Sequence, residues 1–552
     1  MVERYSNEIL VVVTATEWDD TPTSSVLRLA LFGGMYEDIL NPSGVRQHYR
    51  GLIKSDIVFD KRIGLAFWKE DSGIDFGYLD IAVEDQDDEL IDFGRNVMTA
   101  TVDFYRVNLN DPDENELEIL AKAQSSDIGF SNEFTIRFRL ESILQYGFDG
   151  PINEKYYGYE YPQLTGKPYP IAWGLITDPY QVLPTIEVDG TQLLYHVTDI
   201  EIESFESFIY DRGIALTDQT PNDQFDPTTY GFVLNQNPDG KITCGRVLLL
   251  DPEDTGNHLH GLFRFVRLAM TRTGIWANAN QYELQQLEDD IGFGDLYPQF
   301  FTMSVVSLES FLKEILAGVT GWYYVDEFAE IHFGRLTDPD VESSPTYAFT
   351  DTNTIGRIKV EDDKAPGLSG ELSYAYNPGI YDPSELAGGI YGYERTEFTT
   401  KHRIVVAEGF SQLWLWTADD ASWTADSITY TADGFAYQYI VNPVEFTYWT
   451  KSSTRTPIPL SIGYSDQSPT SFDLANGEVQ RWWTELYYKR RRFYTFDVAI
   501  NDEQFILVKP QLGDFCTLQS DRFKLLDVPK NLLIQRLKYN LSKNLLTVIG
   551  WG

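Results

Sequence analysis

The strongest constraint on this chain is a side-chain period of two that recurs along its length. Leu79, Ile81 and Val83 alternate with Asp80 and Ala82, and Phe134, Ile136, Phe138 and Leu140 alternate with Thr135, Arg137 and Arg139. Successive strand residues point to opposite faces, so this spacing sends one set into a core and leaves the other in water. A chain written this way must fold mainly into β-sheet. Its abundant Tyr and Phe, and the Thr and Val in short runs, fit strands as well. With 43% hydrophobic and 14% aromatic residues it can bury cores, and 552 residues correspond to roughly four domains at ~150 residues each.

The pattern changes along the chain. Residues 1–150 read as strands. Within them the acidic run Glu84-Asp85-Gln86-Asp87-Asp88-Glu89 reads as a solvated loop; its spacing does not match a calcium-binding EF-hand loop. From Tyr156 to Gly174 the crossing that contains Leu164-Thr165-Gly166-Lys167-Pro168-Tyr169-Pro170-Ile171-Ala172-Trp173 has too much Pro and Gly for regular helix. Strands and turns return to about 255, with turn signals at Asp189-Gly190 and Asp239-Gly240.

Residues 256–345 carry most of the helix signal and read as a small α/β unit. Leu259, Leu262, Phe263, Val266 and Ala269 form one helical stripe that ends at Gly274. Ser307 caps a second stripe of Leu308, Phe311, Leu312, Ile315 and Leu316 that stops at Gly318, and Trp322 to Phe333 reads as a hairpin. Residues 346–552 are β-rich again. Residues 474–490 read as a helix ending in Lys489-Arg490-Arg491-Arg492. Basic groups there suit the helix dipole, and an ion pair to an acidic partner is the alternative.

One internal repeat stands out. Trp416-Thr417-Ala418-Asp419, Trp423-Thr424-Ala425-Asp426 and Tyr430-Thr431-Ala432-Asp433 recur every seventh residue, and Tyr437 continues the spacing. Only the first position of each heptad is always a large apolar residue, too few for a coiled-coil seam. The segment reads as short strands and turns that display aromatics, either as a surface insertion or as a partner or glycan contact through Trp416, Trp423 and Tyr430.

The remaining signals exclude more than they assign. With 84 acidic and 43 basic side chains the formal net charge is −41, which repels nucleic-acid phosphates and anionic membranes. Cys244 and Cys516 make no disulfide framework and read as buried thiols of a reducing compartment. No leader-like apolar run follows the N-terminus, and no stretch approaches the ~20 apolar residues of a membrane helix. Walker, GxSxG, HExxH and CxxC patterns are absent. His258 and His260 fall at the start of a helix, where i and i+2 diverge, so no metal is assigned to them. The reading is of a chain that is not an enzyme, with no cofactor, metal or catalytic residue.

The order of segments resembles the tail hub, or baseplate hub, proteins of long-tailed bacteriophages and gene transfer agents. The resemblance rests on the β-rich start, the Leu164 to Gly174 crossing, Tyr195 to Ile200 with Ile209 to Leu216, the helical unit from Leu308 to Phe333, and Leu372 to Asn377 with Leu512 to Leu518. The Trp-Thr-Ala-Asp segment departs from that pattern.

The resemblance implies a mainly β, multi-domain chain with two β-barrel domains like the tail-tube subunit. One barrel is expected at 1–150. A β-rich inserted domain at 151–255 and the small α/β domain at 256–345 follow. The second barrel is expected at 346–552, with the aromatic insertion near 411–450. It implies a homotrimer whose two barrels per chain match a hexameric ring. Its expected partners are the distal tail protein ring or tail tube, the tape measure protein and a tail fibre or tip protein. Genomic DNA would pass through the lumen without specific binding, and the chain would be a virion component of the tail tip assembled in the host cytoplasm. The alternatives are a virion receptor- or carbohydrate-binding β protein and, behind it, a peptidoglycan-degrading tail enzyme.

Overall fold

The computed structural model describes residues 7–17, 24–37, 46–64, 72–83, 87–108, 118–132, 134–174, 183–205, 209–216, 225–245, 247–254, 256–291, 297–298, 300–317, 320–341, 345–363, 491–499 and 510–552. Between 364 and 490 it describes residue 486 and the strands 371–374, 403–406, 413–417, 430–432, 435–440, 459–460 and 462–463. The fold is mainly β.

The N-terminal region builds one sheet from β1 (Asn7–Glu17), β2 (Ser24–Ala30), β4 (Tyr78–Ala82), β5 (Val97–Asn108), β6 (Glu118–Asn132) and β7 (Thr135–Glu141), while β3 (Val58–Arg62) leaves it. Its lateral order is β2-β1-β5-β6-β7-β4. The period-two residues do what their spacing requires: Leu79, Ile81, Ile136 and Phe138 join Val11, Val13, Val102 and Phe104 in a shared interior. The two edge strands are then tied together by one segment. Ala30 N donates to Arg50 O and Arg50 N to Arg28 O on the β2 side, while Ala82 N donates to Leu52 O and Lys54 N to Asp80 O on the β4 side. The sheet is therefore a closed ring with no free edge, which removes the usual liability of exposed strands.

The acidic run is not wholly a loop. Asp87 is the N-cap of α1 (Asp88–Asn96) and accepts from Leu90 N, and Asp88 and Glu89 occupy the first turn, where negative charge suits the dipole. The helix is short, and Gly94 lets it lie close on the sheet: a Cβ there would sit 2.8 Å from Ile136 Cδ1.

Residues 144–333 share a single apolar core. The expected helices form as α2 (Leu262–Arg272), which starts after Leu259 and leaves it outside, and α4 (Leu308–Ala317), with Ser307 Oγ accepting from Ser310 N at 3.3 Å, and α3 (Gln281–Ile291) lies between them. The hairpin is β8 (Gly321–Val325) and β9 (Ile331–Arg335). The crossing delivers Trp173 to the centre of this core, fully buried among Phe265, Phe300 and Phe311. Its indole nitrogen donates to Asp199 at 3.3 Å, and Asp199 pairs with Arg272 at 2.6 Å.

The C-terminal region makes a second sheet from β10 (Tyr347–Phe349), β11 (Thr354–Asp362), β12 (Arg492–Ala499), β13 (Phe515–Leu518), β14 (Lys530–Asn540) and β15 (Leu545–Trp551), in the order β10-β13-β14-β15-β12-β11. Here the two edge strands follow one another in the chain, through the turn 350–353 that Thr354 N closes by donating to Thr350 O. Tyr494, Phe496, Val498, Leu546, Val548 and Trp551 fill the interior.

Numbering each ring's strands by chain order, the first reads 2-1-4-5-6-3 and the second 1-4-5-6-3-2. With the ends of each sheet joined, through the segment 50–54 in the first and the turn 350–353 in the second, these are the same cyclic order. One direction differs: the first and fourth strands are antiparallel in the N-terminal ring and parallel in the C-terminal one. Extra chain enters both rings between the second and third strands, at 31–77 and at 363–491.

The basic run near 490 is corrected in part. Residues 489 and 490 and all of 474–490 except Leu486 lie outside the described residues. Arg491 is fully buried over the Trp551 ring and paired within the chain to Asp338 at 2.8 Å and Asp340 at 3.1 Å; Arg492 opens β12 and pairs with Asp362. A guanidinium out of water needs such partners, so this group answers to the chain's own acids.

Gly231 tests the packing of the middle unit, because a Cβ there would meet Tyr195 O at 1.9 Å. Gly231→Ala is expected to destabilise that unit by about 1–3 kcal/mol, read as a lowered denaturant midpoint; an unchanged midpoint contradicts the packing described.

Candidate assembly interface

The two rings and the middle unit meet where β3 leaves the first ring and adds to the second sheet. The first half of β14 pairs with β13 over residues 530–533, and its second half pairs with β3, from Arg536 opposite Arg62 to Asn540 opposite Val58. A borrowed strand of this kind needs its register fixed, since a one-residue slip would turn each side chain to the other face. Arg536 holds Asp60 through two bonds of 2.7 and 2.6 Å, and Gln535 and Ile63 exchange bonds of 2.8 and 2.9 Å.

Beside this strand lies a buried ion pair. Lys61 Nζ is 2.6 Å from Glu327 Oε2, with side-chain exposures of 1% and 8%. Lys61 comes from β3, and Glu327 from the turn between β8 and β9. The ammonium also lies 5.4 Å from the centre of the Tyr539 ring on β14, and Glu327 O accepts from Lys122 N of β6 at 2.9 Å. Three strands and the turn between β8 and β9 thus converge on one lysine and one glutamate. Burial pushes the Tyr539 hydroxyl well above its ordinary range, with the Glu327 charge adding to it, and burial also raises the Asp514 carboxyl. The tyrosine stays neutral at this junction.

The residues singled out in the sequence fare differently. Trp416 lies in the strand Leu413–Thr417 and Tyr430 in the strand Tyr430–Ala432. The strand Phe435–Ile440 runs between them and places Tyr437 in register with both. Trp423 lies outside the described residues. His258 and His260 do not join: His258 pairs with Glu203, whereas burial lowers the pKa of His260. Cys244 and Cys516 are free, belong to separate cores and are fully buried, which pushes both thiols up, out of the range of a nucleophile. His196 is stacked on Tyr157, and burial holds it at about 4.

One cluster was missed. Asp326, Glu330 and His332 bring ligand atoms within 4.8 Å of one another. Glu330 and His332 are two apart at the start of a strand and so share a face, but Asp326 arrives only through the turn, and Glu283, which contacts His332, comes from α3. Only the alternation of Glu330 and His332 was visible in the sequence.

No family model matches the chain, and no curated protein matches it. Among solved structures, it is similar to a 43 kDa tail protein of prophage MuSo2 from Shewanella oneidensis, with 9% identity, 99% of this chain and 98% of that one covered, and a TM-score of 0.32. It is also similar to prophage tail protein gp18 from Listeria monocytogenes EGD-e, at 9% identity, 98% and 94% coverage, and a TM-score of 0.31. A third similarity is to the Francisella PdpA-VgrG complex, at 10% identity, with 99% of this chain and 53% of that chain covered and a TM-score of 0.30.

The junction makes a sharp prediction. Lys61→Met or Glu327→Leu alone leaves an uncompensated buried charge and is expected to cost ~3–5 kcal/mol, whereas the double variant is expected to cost less than either. Denaturant midpoints of the three variants check this; additive losses contradict it.

Proposed function

We propose that this chain is a structural virion protein, a trimeric hub at the distal end of a phage tail that joins a sixfold tube or distal tail ring to the tip or fibre. The observation that carries the reading is the strand order that two sheets of one polypeptide share when the ends of each are joined. Three copies supply six sheets of like strand order, and six like units can close on a hexameric ring through quasi-equivalent contacts. The borrowed strand β3 ties the N-terminal region to the C-terminal sheet, and the Lys61–Glu327 pair ties it to the middle unit, a fixed arrangement that a repeating collar requires. Tape measure protein, tail fibre or tip protein, and the distal ring are the partners this role brings.

The net charge of −41 fits the same role. A channel wall poor in Lys and Arg has few groups to hold passing DNA, since each bound phosphate adds a salt-dependent grip. The role is not enzymatic and needs no cofactor.

A second reading has its own observation. The strand register sets Trp416 and Tyr430 on either side of Tyr437, with Trp423 in the chain between them. An aromatic row suits stacking on sugar rings or anchoring a protein partner. The segment then serves as the receptor or glycan contact of the same particle.

Light scattering on the purified chain is expected to give three times the 63.2 kDa of one copy, and electron microscopy a threefold particle with six ring-like lobes. A monomer that forms no threefold particle on tail-tube rings, or a channel lined by Lys and Arg, overturns the hub. On a glycan array, Trp416→Ala and Tyr430→Ala are expected to lose at least tenfold in binding with the oligomer mass unchanged; an array silent for the parent chain removes the second reading.

A further inference from the structure

We propose that the turn between β8 and β9 is a divalent metal site, with Asp326, Glu330 and His332 as ligands and Glu283 behind the histidine. The three ligand atoms lie within 4.8 Å of one another. A tetrahedral ion with bonds near 2.1 Å needs donors about 3.4 Å apart, so small side-chain movements complete the set.

Each ligand is already held by its other atoms. Asp326 Oδ1 accepts from Phe328 N at 2.8 Å and from Glu330 N at 2.7 Å, which leaves Oδ2 toward the histidine. That Oδ2 is 3.7 Å from His332 Nε2, too far for a hydrogen bond and close enough for both atoms to share an ion. On the other side of the ring, His332 Nδ1 lies 3.0 and 3.1 Å from the two carboxylate oxygens of Glu283. Glu283 is itself fixed by accepting from Phe333 N at 3.0 Å. A carboxylate on Nδ1 puts the proton there and presents Nε2 as a lone-pair donor, the arrangement by which proteins orient metal-bound imidazole. The ring stacks on Tyr324 at 4.8 Å between centroids and 17° between planes, which sets its direction.

The third ligand supplies the entrance. Glu330 Oε1 accepts from Asn280 Nδ2 at 3.0 Å, leaving Oε2 for the ion. Asp326 is buried and Glu330 is exposed, so the site opens to solvent on one side and water can fill the fourth position. One nitrogen and two carboxylate oxygens suit zinc, cobalt or manganese better than a soft, thiolate-seeking ion. An ion here would stiffen the turn that carries Glu327, and with it the contact between the middle unit and both rings.

The test uses the full chain, stripped with a chelator and titrated with Co²⁺. One equivalent is expected to bind with visible d–d absorption, and Zn²⁺ is expected to displace it. Glu330→Gln removes a ligand at an exposed position, and Glu283→Gln removes the support of the ring. Each is expected to weaken Co²⁺ binding ten- to a hundredfold with the fold and oligomer mass unchanged. Asp326→Asn keeps a carbonyl to accept the turn's N–H groups and is expected to lose binding similarly. The absence of saturable one-equivalent binding by the parent chain overturns the proposal and leaves an imidazolium between carboxylates. Parent-like affinity in Glu330→Gln or Asp326→Asn places the ion elsewhere and overturns it as well.

Discussion

A buried ammonium cannot stand without a counter-charge, and the arrangement of this molecule turns on how Lys61 finds one. The strand that carries it has left its own ring, lies along the far half of β14 and reaches Glu327 in a turn of the middle unit. Desolvating two ions is costly, so such a pair adds little to net stability compared with apolar residues of the same size. Its effect is on geometry. A placement of β3 that kept Lys61 buried away from Glu327 would leave an unpaired charge, at a cost of about 3–5 kcal/mol. Asp60 with Arg536 and Gln535 with Ile63 repeat the instruction at neighbouring positions.

The likeness of the two rings is one of path. No repeat is visible between 1–150 and 346–552 in the sequence, yet with their ends joined the two sheets share one strand order. A ring interior demands alternation and volume, which Val, Leu, Phe, Ile and Tyr satisfy in many combinations, so residue identity can drift while path is kept. The parallel placement of the three-residue β10 marks where the C-terminal sheet departs from the N-terminal one.

Much of the local structure was legible. Ile136 and Phe138 faced inward as their alternation required, the stripe from Leu262 to Ala269 became α2, Ser307 capped α4, and the Trp322 to Phe333 run folded as a hairpin. What failed was either short or distant. α1 has nine residues and a glycine near its end, too little period for recognition, so its acidic cap read as a loop. Arg491 looked like the end of a helix because its acids, Asp338 and Asp340, lie some 150 positions earlier. Lateral strand order depends on pairings as remote as Arg62 with Arg536, and no local pattern carries that information. The candidate metal ligands were hidden for the same reason, with Glu283 on a helix and Asp326 on the other side of a turn.

The shared entry point of the two long insertions has an evolutionary meaning. In each ring the excursion leaves after the second strand and returns at the third, at 31–77 in one and 363–491 in the other. In the C-terminal sheet β11 and β12 pair directly, so their ladder does not pass through that excursion. New sequence can therefore be grafted, lengthened or exchanged at this slot while the wall around it stays intact.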